Sequence, residues 1–316
     1  MASTNLMQKF GYLIEKINAA NFDSAPFSHI IIDDFLSKEH YHEITKADEI
    51  NFPKQESAEG LIEYLKTNGY AAQNFPGCTT SEKDYLYSIN NNYWPVDSGI
   101  MEGFGMTFRL LNYKNETIRE LIEFLNTPVF QKCLLEKFSL EQKEYKIETA
   151  VQKYLHGYEI SPHPDIRRKA LTYMLNINPF EGAEDMDIHT YLLKFTDSKS
   201  YLKDFWKHNL DIDRCWVPWS WCETVKKTNK NNSIVIFAPS NDSMHAVKLN
   251  YDHLAAQRTQ VYGNVWHKEE TVKYALEYKQ IDLRNHMTDI ENKYATSRFA
   301  FIPTPIKKLA KKILKK

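Results

Sequence analysis

Apolar residues in the first stretch of the chain recur at helical spacing. Leu6, Phe10, Leu13, Ile14 and Ile17 share one face, which predicts an amphipathic helix over Met1 to Asn21. The β-branched run inside Pro26 to Leu36 reads as a buried strand. Ser37 then caps a helix passing through Tyr41 and Ile44. From Asn51 to Asn92 the pattern is polar and mixed, with a helical piece over Glu59 to Thr67 and a break at Pro76-Gly77. Asn115 to Leu125 is amphipathic, with Ile118, Leu121, Ile122 and Leu125 on one side. Pro128 opens the next helix at its first turn, and this runs to about Phe138.

Beyond Tyr145 the pattern shifts toward strands. Candidates are Lys146–Tyr154, Lys169–Asn176, Ile188–Phe195, Ser233–Phe237 and Gln260–Trp266. Several strands behind a helical N-terminal region predict a mainly β, α+β fold: a β-sandwich or jelly roll with supporting helices. The domain reading is an N-terminal region over 1–140, a core over 141–270 with an insertion at about 197–232, and a C-terminal extension over 271–316. The extension ends in Ile306, Leu309, Ile313 and Leu314 on one helical stripe, with lysines filling the other face. Such a segment is either a helix lying on an anionic membrane surface or a solvated basic tail.

Composition narrows the classes. Lys+Arg 40 against Asp+Glu 41 leaves a net charge of -1, so no nucleic-acid partner is expected. The four cysteines, Cys78, Cys133, Cys215 and Cys222, form no CxxC pair and read as free thiols in a reducing compartment. No secretory leader pattern and no apolar run of membrane-spanning length stands out, so the expected location is cytoplasmic. Peripheral contact with the inner face of a membrane would come through the C-terminal lysine-rich helix.

The chemistry gathers around Ser161-Pro162-His163-Pro164-Asp165. Pro164 restricts His163 to extended backbone, and residues two apart in an extended segment point the same way. An imidazole and a carboxylate can then meet on one metal, leaving a third ligand to come from a later strand. Ser233–Phe237 leads through a turn to His245, which enters the next strand and is the expected third ligand. Arg258 follows about a dozen residues on, and a guanidinium there would hold a distal carboxylate.

These segments resemble the 2-oxoglutarate and Fe(II)-dependent dioxygenases, in particular their prolyl-4-hydroxylase-like branch. The likeness rests on His163-x-Asp165, then "LTYMLNINP", then "IVIFAPSNDSMHAV", then Arg258, in that order over most of Lys146 to Trp266. It extends to "PFSHIIIDDFLSKEHYHEI" near the N-terminus. It implies a double-stranded β-helix, with Fe(II) held by His163, Asp165 and His245. It also implies 2-oxoglutarate and O2 as cosubstrates, with Arg258 on the 2-oxoglutarate C5 carboxylate. Tyr173 and Tyr154 match positions that assist that arginine or line the cosubstrate pocket. The implied reaction is hydroxylation with release of succinate and carbon dioxide. The expected substrate is a small molecule or glycan-type precursor, with a peptide (prolyl-type) substrate as the alternative.

Two features depart from the family pattern. Only Gly182 stands where a Gly-Gly pair is common, and the insertion carries Trp206, Trp216, Trp219 and Trp221. Those rings could stack on a flat ligand or simply pack beneath a long loop. His189 is the foremost of the other histidines, since it begins a strand. Two further classes stay open from sequence: a non-catalytic jelly-roll binding module, and a zinc-assisted hydrolase.

Overall fold

The helices between Asn115 and Lys137 form where the caps dictate. Asn115 accepts from the Ile118 amide at 3.0 Å, and Thr127 accepts from the Phe130 amide at 3.3 Å just before Pro128. A computed structural model of the chain describes residues 2–73, 81–92, 105–141 and 144–268. The Pro76-Gly77 break, Cys78 and the basic C-terminal segment lie outside the described residues. The chain divides into two units. The larger comprises Met1–His208 and Arg214–Thr271 and holds every element named here, while the described part of the smaller is the short turn Asn209–Asp213.

The helices are α1 (Ala2–Phe10), α2 (Tyr12–Ala19), α3 (Lys38–Lys46), α4 (Ala58–Thr67), α5 (Glu82–Asn91), α6 (Glu116–Leu125), α7 (Pro128–Lys137) and α8 (Tyr201–His208). The strands are β1 (Ile30–Ile32), β2 (Tyr70–Ala72), β3 (Thr107–Leu110), β4 (Tyr145–Tyr154), β5 (Glu159–His163) and β6 (Lys169–Asn176). They continue with β7 (Thr190–Phe195), β8 (Cys222–Thr228), β9 (Ile234–Phe237), β10 (His245–Lys248) and β11 (Arg258–His267). One long N-terminal helix is expected, but two abut at Gly11, the weakest helix former in that stretch. The strand expected over Pro26–Leu36 shrinks to β1, because Asp33 and Asp34 turn the chain, with Asp34 at φ 50°. β8 lies inside the stretch read as an insertion and pairs with β7.

The strands form two antiparallel sheets. A seven-stranded sheet has the order β1-β9-β6-β11-β4-β3-β2, and a four-stranded sheet has the order β5-β10-β7-β8. In β6 the period of two sorts the side chains. Leu171, Tyr173 and Leu175 join Phe10, Leu121 and Phe130 in the main core, beneath the helices. Met174 faces the other way and packs with Leu192, Val235 and Phe237 between the two sheets. The outer face of the small sheet is covered by the tryptophan-rich segment: Trp206 and Val217 bury against Leu193, Phe195 and Ala246. Of the two readings of that segment, packing is therefore what Trp206 does. Among the described residues no helix is long and apolar enough to cross a membrane.

Candidate metal centre

β5 and β10 are antiparallel neighbours, and their register sets His163 opposite His245. Directly opposed residues on one face sit close together, and here the two imidazole centroids are 4.3 Å apart. Asp165 follows two residues after His163, but not by strand alternation. β5 ends at His163, and Asp165 takes left-handed backbone with φ 62°. Asp tolerates that region better than most side chains. The turn brings Asp165 Oδ1 within 3.6 Å of His163 Nε2 and Oδ2 within 3.7 Å of His245 Nε2. One ligating atom from each residue falls within 4.8 Å of the others.

The tautomers are set by the backbone. His163 Nδ1 lies 2.8 Å from the Ser161 carbonyl, and His245 Nδ1 lies 2.9 Å from the Ser243 carbonyl. A carbonyl oxygen can only accept, so each Nδ1 carries the proton and each Nε2 offers a lone pair toward Asp165. Burial, reinforced by the neighbouring His163, pushes the His245 imidazole down to about 3. Burial alone would raise the Asp165 carboxyl. The Lys169 ammonium and the two imidazoles outweigh it and hold the carboxyl well below the usual range. At neutral pH, His245 and Asp165 are thus in the protonation state a cation needs. The Ser243 hydroxyl lies 3.1 Å from the Pro164 carbonyl and 3.0 Å from the Ser240 carbonyl, sharing its one hydrogen between the turn before His245 and the turn that carries Asp165.

Arg258 enters from the opposite sheet. It is 2% exposed; its Nη2 donates to Thr190 Oγ1 at 2.8 Å, and its guanidinium stands 4.8 Å from the centre of the Tyr154 ring. Its Nε is buried without a hydrogen-bond partner, and no carboxylate pairs with the group among the described residues. Burial lowers its pKa, opposed by the tyrosines around it, yet a guanidinium stays charged. Thr190 stands two residues before Leu192, the cross-strand partner of His245. Two residues along a strand is about 7 Å, so the guanidinium reaches the same sheet face one pleat from the histidines.

The two tyrosines part company. Tyr154 is opposite Arg258 in the β4–β11 ladder, and its hydroxyl meets the Gln152 side-chain amide at 2.8 Å. Tyr173 does not join the site. It sits at an odd position of β6 under the helices, bonded to Thr149 Oγ1, with its ring 5.9 Å from Phe130 and stacked over Gly263. The inward residues of β6 are Thr172 and Met174, one step to either side. His189 is 9% exposed, with Nδ1 unpartnered, at the entry to β7. Lys169 and Thr172, both bonded to Asp165, carry no local motif that would single them out in sequence. Strand alternation would have found Thr172 once Tyr173 was known to face the helices.

No protein-family model matches the chain, and no curated protein sequence matches it. Solved structures do. A prolyl hydroxylase from Trichoplax adhaerens, in complex with a hypoxia inducible factor oxygen degradation domain peptide fragment, is 11% identical over 84% of this chain and 92% of that one, with a TM-score of 0.40. A Pseudomonas putida prolyl-4-hydroxylase is 10% identical over 82% of this chain and 99% of its own, with a TM-score of 0.41. An oxidoreductase of the 2OG-Fe(II) oxygenase family from Burkholderia pseudomallei is 11% identical over 68% of this chain and 94% of its own, with a TM-score of 0.30. The chain is similar to these three proteins at low identity.

Proposed function

We propose that this chain is an Fe(II)- and 2-oxoglutarate-dependent oxygenase built on a double-stranded β-helix. His163, Asp165 and His245 hold the metal, and Arg258 holds the far carboxylate of the cosubstrate. The observation that carries the proposal is the pairing of two features: a His-Asp-His cluster with its lone pairs converging, and a buried guanidinium with no acidic partner among the described residues. Two imidazoles and one carboxylate suit Fe(II) and leave positions open for other ligands. A buried, unpaired cation is costly and selects for an anion that will pair with it. A dicarboxylate long enough to span about 7 Å answers both features.

When bound, Fe(II), 2-oxoglutarate and O2 supply the oxidising power, with succinate and carbon dioxide released. The protein's own residues do the rest. The Ser161 and Ser243 carbonyls aim the imidazoles. Thr190 and the Tyr154 ring fix the guanidinium. Tyr251 accepts the Arg258 amide at 3.0 Å and donates to the Tyr154 carbonyl, locking the end of β11 onto β4.

The test is anaerobic binding of Fe(II) and 2-oxoglutarate to the purified chain, followed by exposure to oxygen and assay for succinate. The wild type binds both and produces succinate. His245→Ala loses the metal. Arg258→Ala keeps the metal and binds 2-oxoglutarate at least about tenfold more weakly, the scale of one charge-assisted pair. Absence of both 2-oxoglutarate binding and succinate in the wild type would overturn the proposal.

A further inference from the structure

Both oxygens of Asp165 already have donors. Lys169 Nζ donates to Oδ1 at 2.7 Å, and Thr172 Oγ1 donates to Oδ2 at 2.8 Å. Neither donor is loosely placed. The Lys169 ammonium also donates to the Tyr262 hydroxyl at 2.9 Å. It lies 5.5 Å from the Trp266 ring, whose residue is its cross-strand partner, and its side chain is only 12% exposed. Thr172 lies a further 3.3 Å from Asn264 Oδ1, and its single hydroxyl hydrogen goes to the nearer acceptor, Asp165.

A carboxylate can bind a cation through one oxygen or both. The difference matters at a three-residue site. If Asp165 used both oxygens, the protein would occupy four positions of an octahedral ion. Too few would remain for a chelating cosubstrate and oxygen together. An ammonium fixed against Oδ1 disfavours that option, since its N–H takes one of the oxygen's two lone pairs and its charge repels a cation at the other. The neutral Thr172 hydroxyl instead leaves a lone pair of Oδ2 for the metal. The ammonium also subtracts from the carboxylate's attraction for any cation, by ordinary Coulomb repulsion.

We propose that Lys169 is a positioning residue of the metal centre, holding Asp165 to one-oxygen metal binding and so keeping a position free for the cosubstrate. This rests on the iron reading given above. It makes a prediction of unusual form: loss of the ammonium strengthens metal binding and weakens cosubstrate binding. A residue with a merely structural role would weaken both.

The experiment uses the full chain, Co(II) as the metal probe and isothermal titration as the readout, with visible absorption of Co(II) reporting its coordination. Lys169→Met binds Co(II) at least about tenfold more tightly than wild type, a lower bound set by water-like screening of an ammonium against a divalent ion. The Co(II) form of the same variant binds 2-oxoglutarate about tenfold more weakly, by the same scale, and its absorption spectrum changes. Lys169→Arg, which keeps the charge and the donors, restores wild-type behaviour in both. If Lys169→Met does not fold, Lys169→Gln is read in its place. Unchanged or weaker Co(II) binding in the folded variant overturns the role of Lys169. Failure of wild type to bind Co(II) in a His245-dependent way instead overturns the iron reading beneath it.

Discussion

Asp165 combines a left-handed backbone, near-complete burial and an ammonium partner. The backbone tolerates Asn as well as Asp, so Asp165→Asn tests charge without reshaping the turn. It strands Lys169, and removing one member of a buried ion pair costs about 3–5 kcal/mol. Chemical denaturation of the metal-free chain should show that loss for Asp165→Asn and recover most of it in Asp165→Asn with Lys169→Met. Equal losses in the single and double variants would mean the pair is not coupled. A second buried amine has no ion pair among the described residues. Lys153 is fully buried on the helix side of β4, bonded to the Ile50 carbonyl at 2.7 Å and to Thr259 Oγ1 at 3.0 Å. Burial pushes it down to about 7. Above pH 7 the folded chain releases this proton while the unfolded chain holds it to about 10.5, so the unfolded state binds more protons and stability rises with pH across that window. Lys153→Met removes the rise. Thermal melts at pH 7 and pH 9.5 should show its advantage over wild type shrinking at the higher value; a constant difference would contradict the lowered amine.

At the level of strands and helices, β6 and β11 show what one register fixes. Gly263 is opposite Tyr173, and a Cβ added there would lie 2.0 Å from the tyrosine ring. Gly263→Ala therefore forces the ring out of a packed core, at a cost of about 1–3 kcal/mol. The same change in a Tyr173→Leu background should cost markedly less, and denaturant midpoints of the four species measure the coupling. The sequence made this pairing hard to see. "LTYMLN" reads as a strand, and period two says that Thr172 and Met174 share a face and Tyr173 opposes them. Nothing local says which face meets the His-Asp-His cluster, because the apolar rows of β6 are buried on both sides. The resemblance supplied the tyrosine and the helical layer took it. The segments that bring His163, Asp165 and His245 together were legible because each had its own signal: Pro164 after His163, and a fully apolar strand before His245. Short strands such as β2 and β3 had no such pattern, being only 3 and 4 residues long and stabilised by their neighbours rather than by propensity.

At the scale of the fold the two sheets meet at a guanidinium that no carboxylate among the described residues pairs with. Replacing a buried, unpaired ion by an apolar residue of similar length is often neutral or stabilising. Arg258→Met should accordingly melt no lower than wild type in the absence of ligand. With metal and 2-oxoglutarate at a hundred times the wild-type dissociation constant, wild type should gain about 2.7 kcal/mol from the cosubstrate, and the variant no more than about 1.4 kcal/mol. A full shift in Arg258→Met would remove the arginine from the cosubstrate pocket. Much of the architecture behind this was readable beforehand, since helices followed caps and the long strands followed apolar runs. The edge strand β8 was not, because Cys222–Thr228 is polar and mostly exposed, with lysines where a buried strand would carry valine. Those lysines suit an outer strand, which must discourage pairing with other chains.

The ladder between β4 and β11 runs without a slip from Arg258 opposite Tyr154 to His267 opposite Tyr145. Its parity decides two things at once. Arg258, Gln260, Tyr262 and Asn264 turn to one side, and Thr259, Val261, Gly263 and Val265 turn to the other. A shift of one residue would send the arginine into the greasy layer beneath the helices and drive the valines toward the histidines. Folding error and loss of chemistry are thereby the same event. A chain that mispairs here would lose the packing beneath the helices and the inward guanidinium together, so the cosubstrate end of the proposed site is checked by the register of a whole ladder rather than by any one side chain.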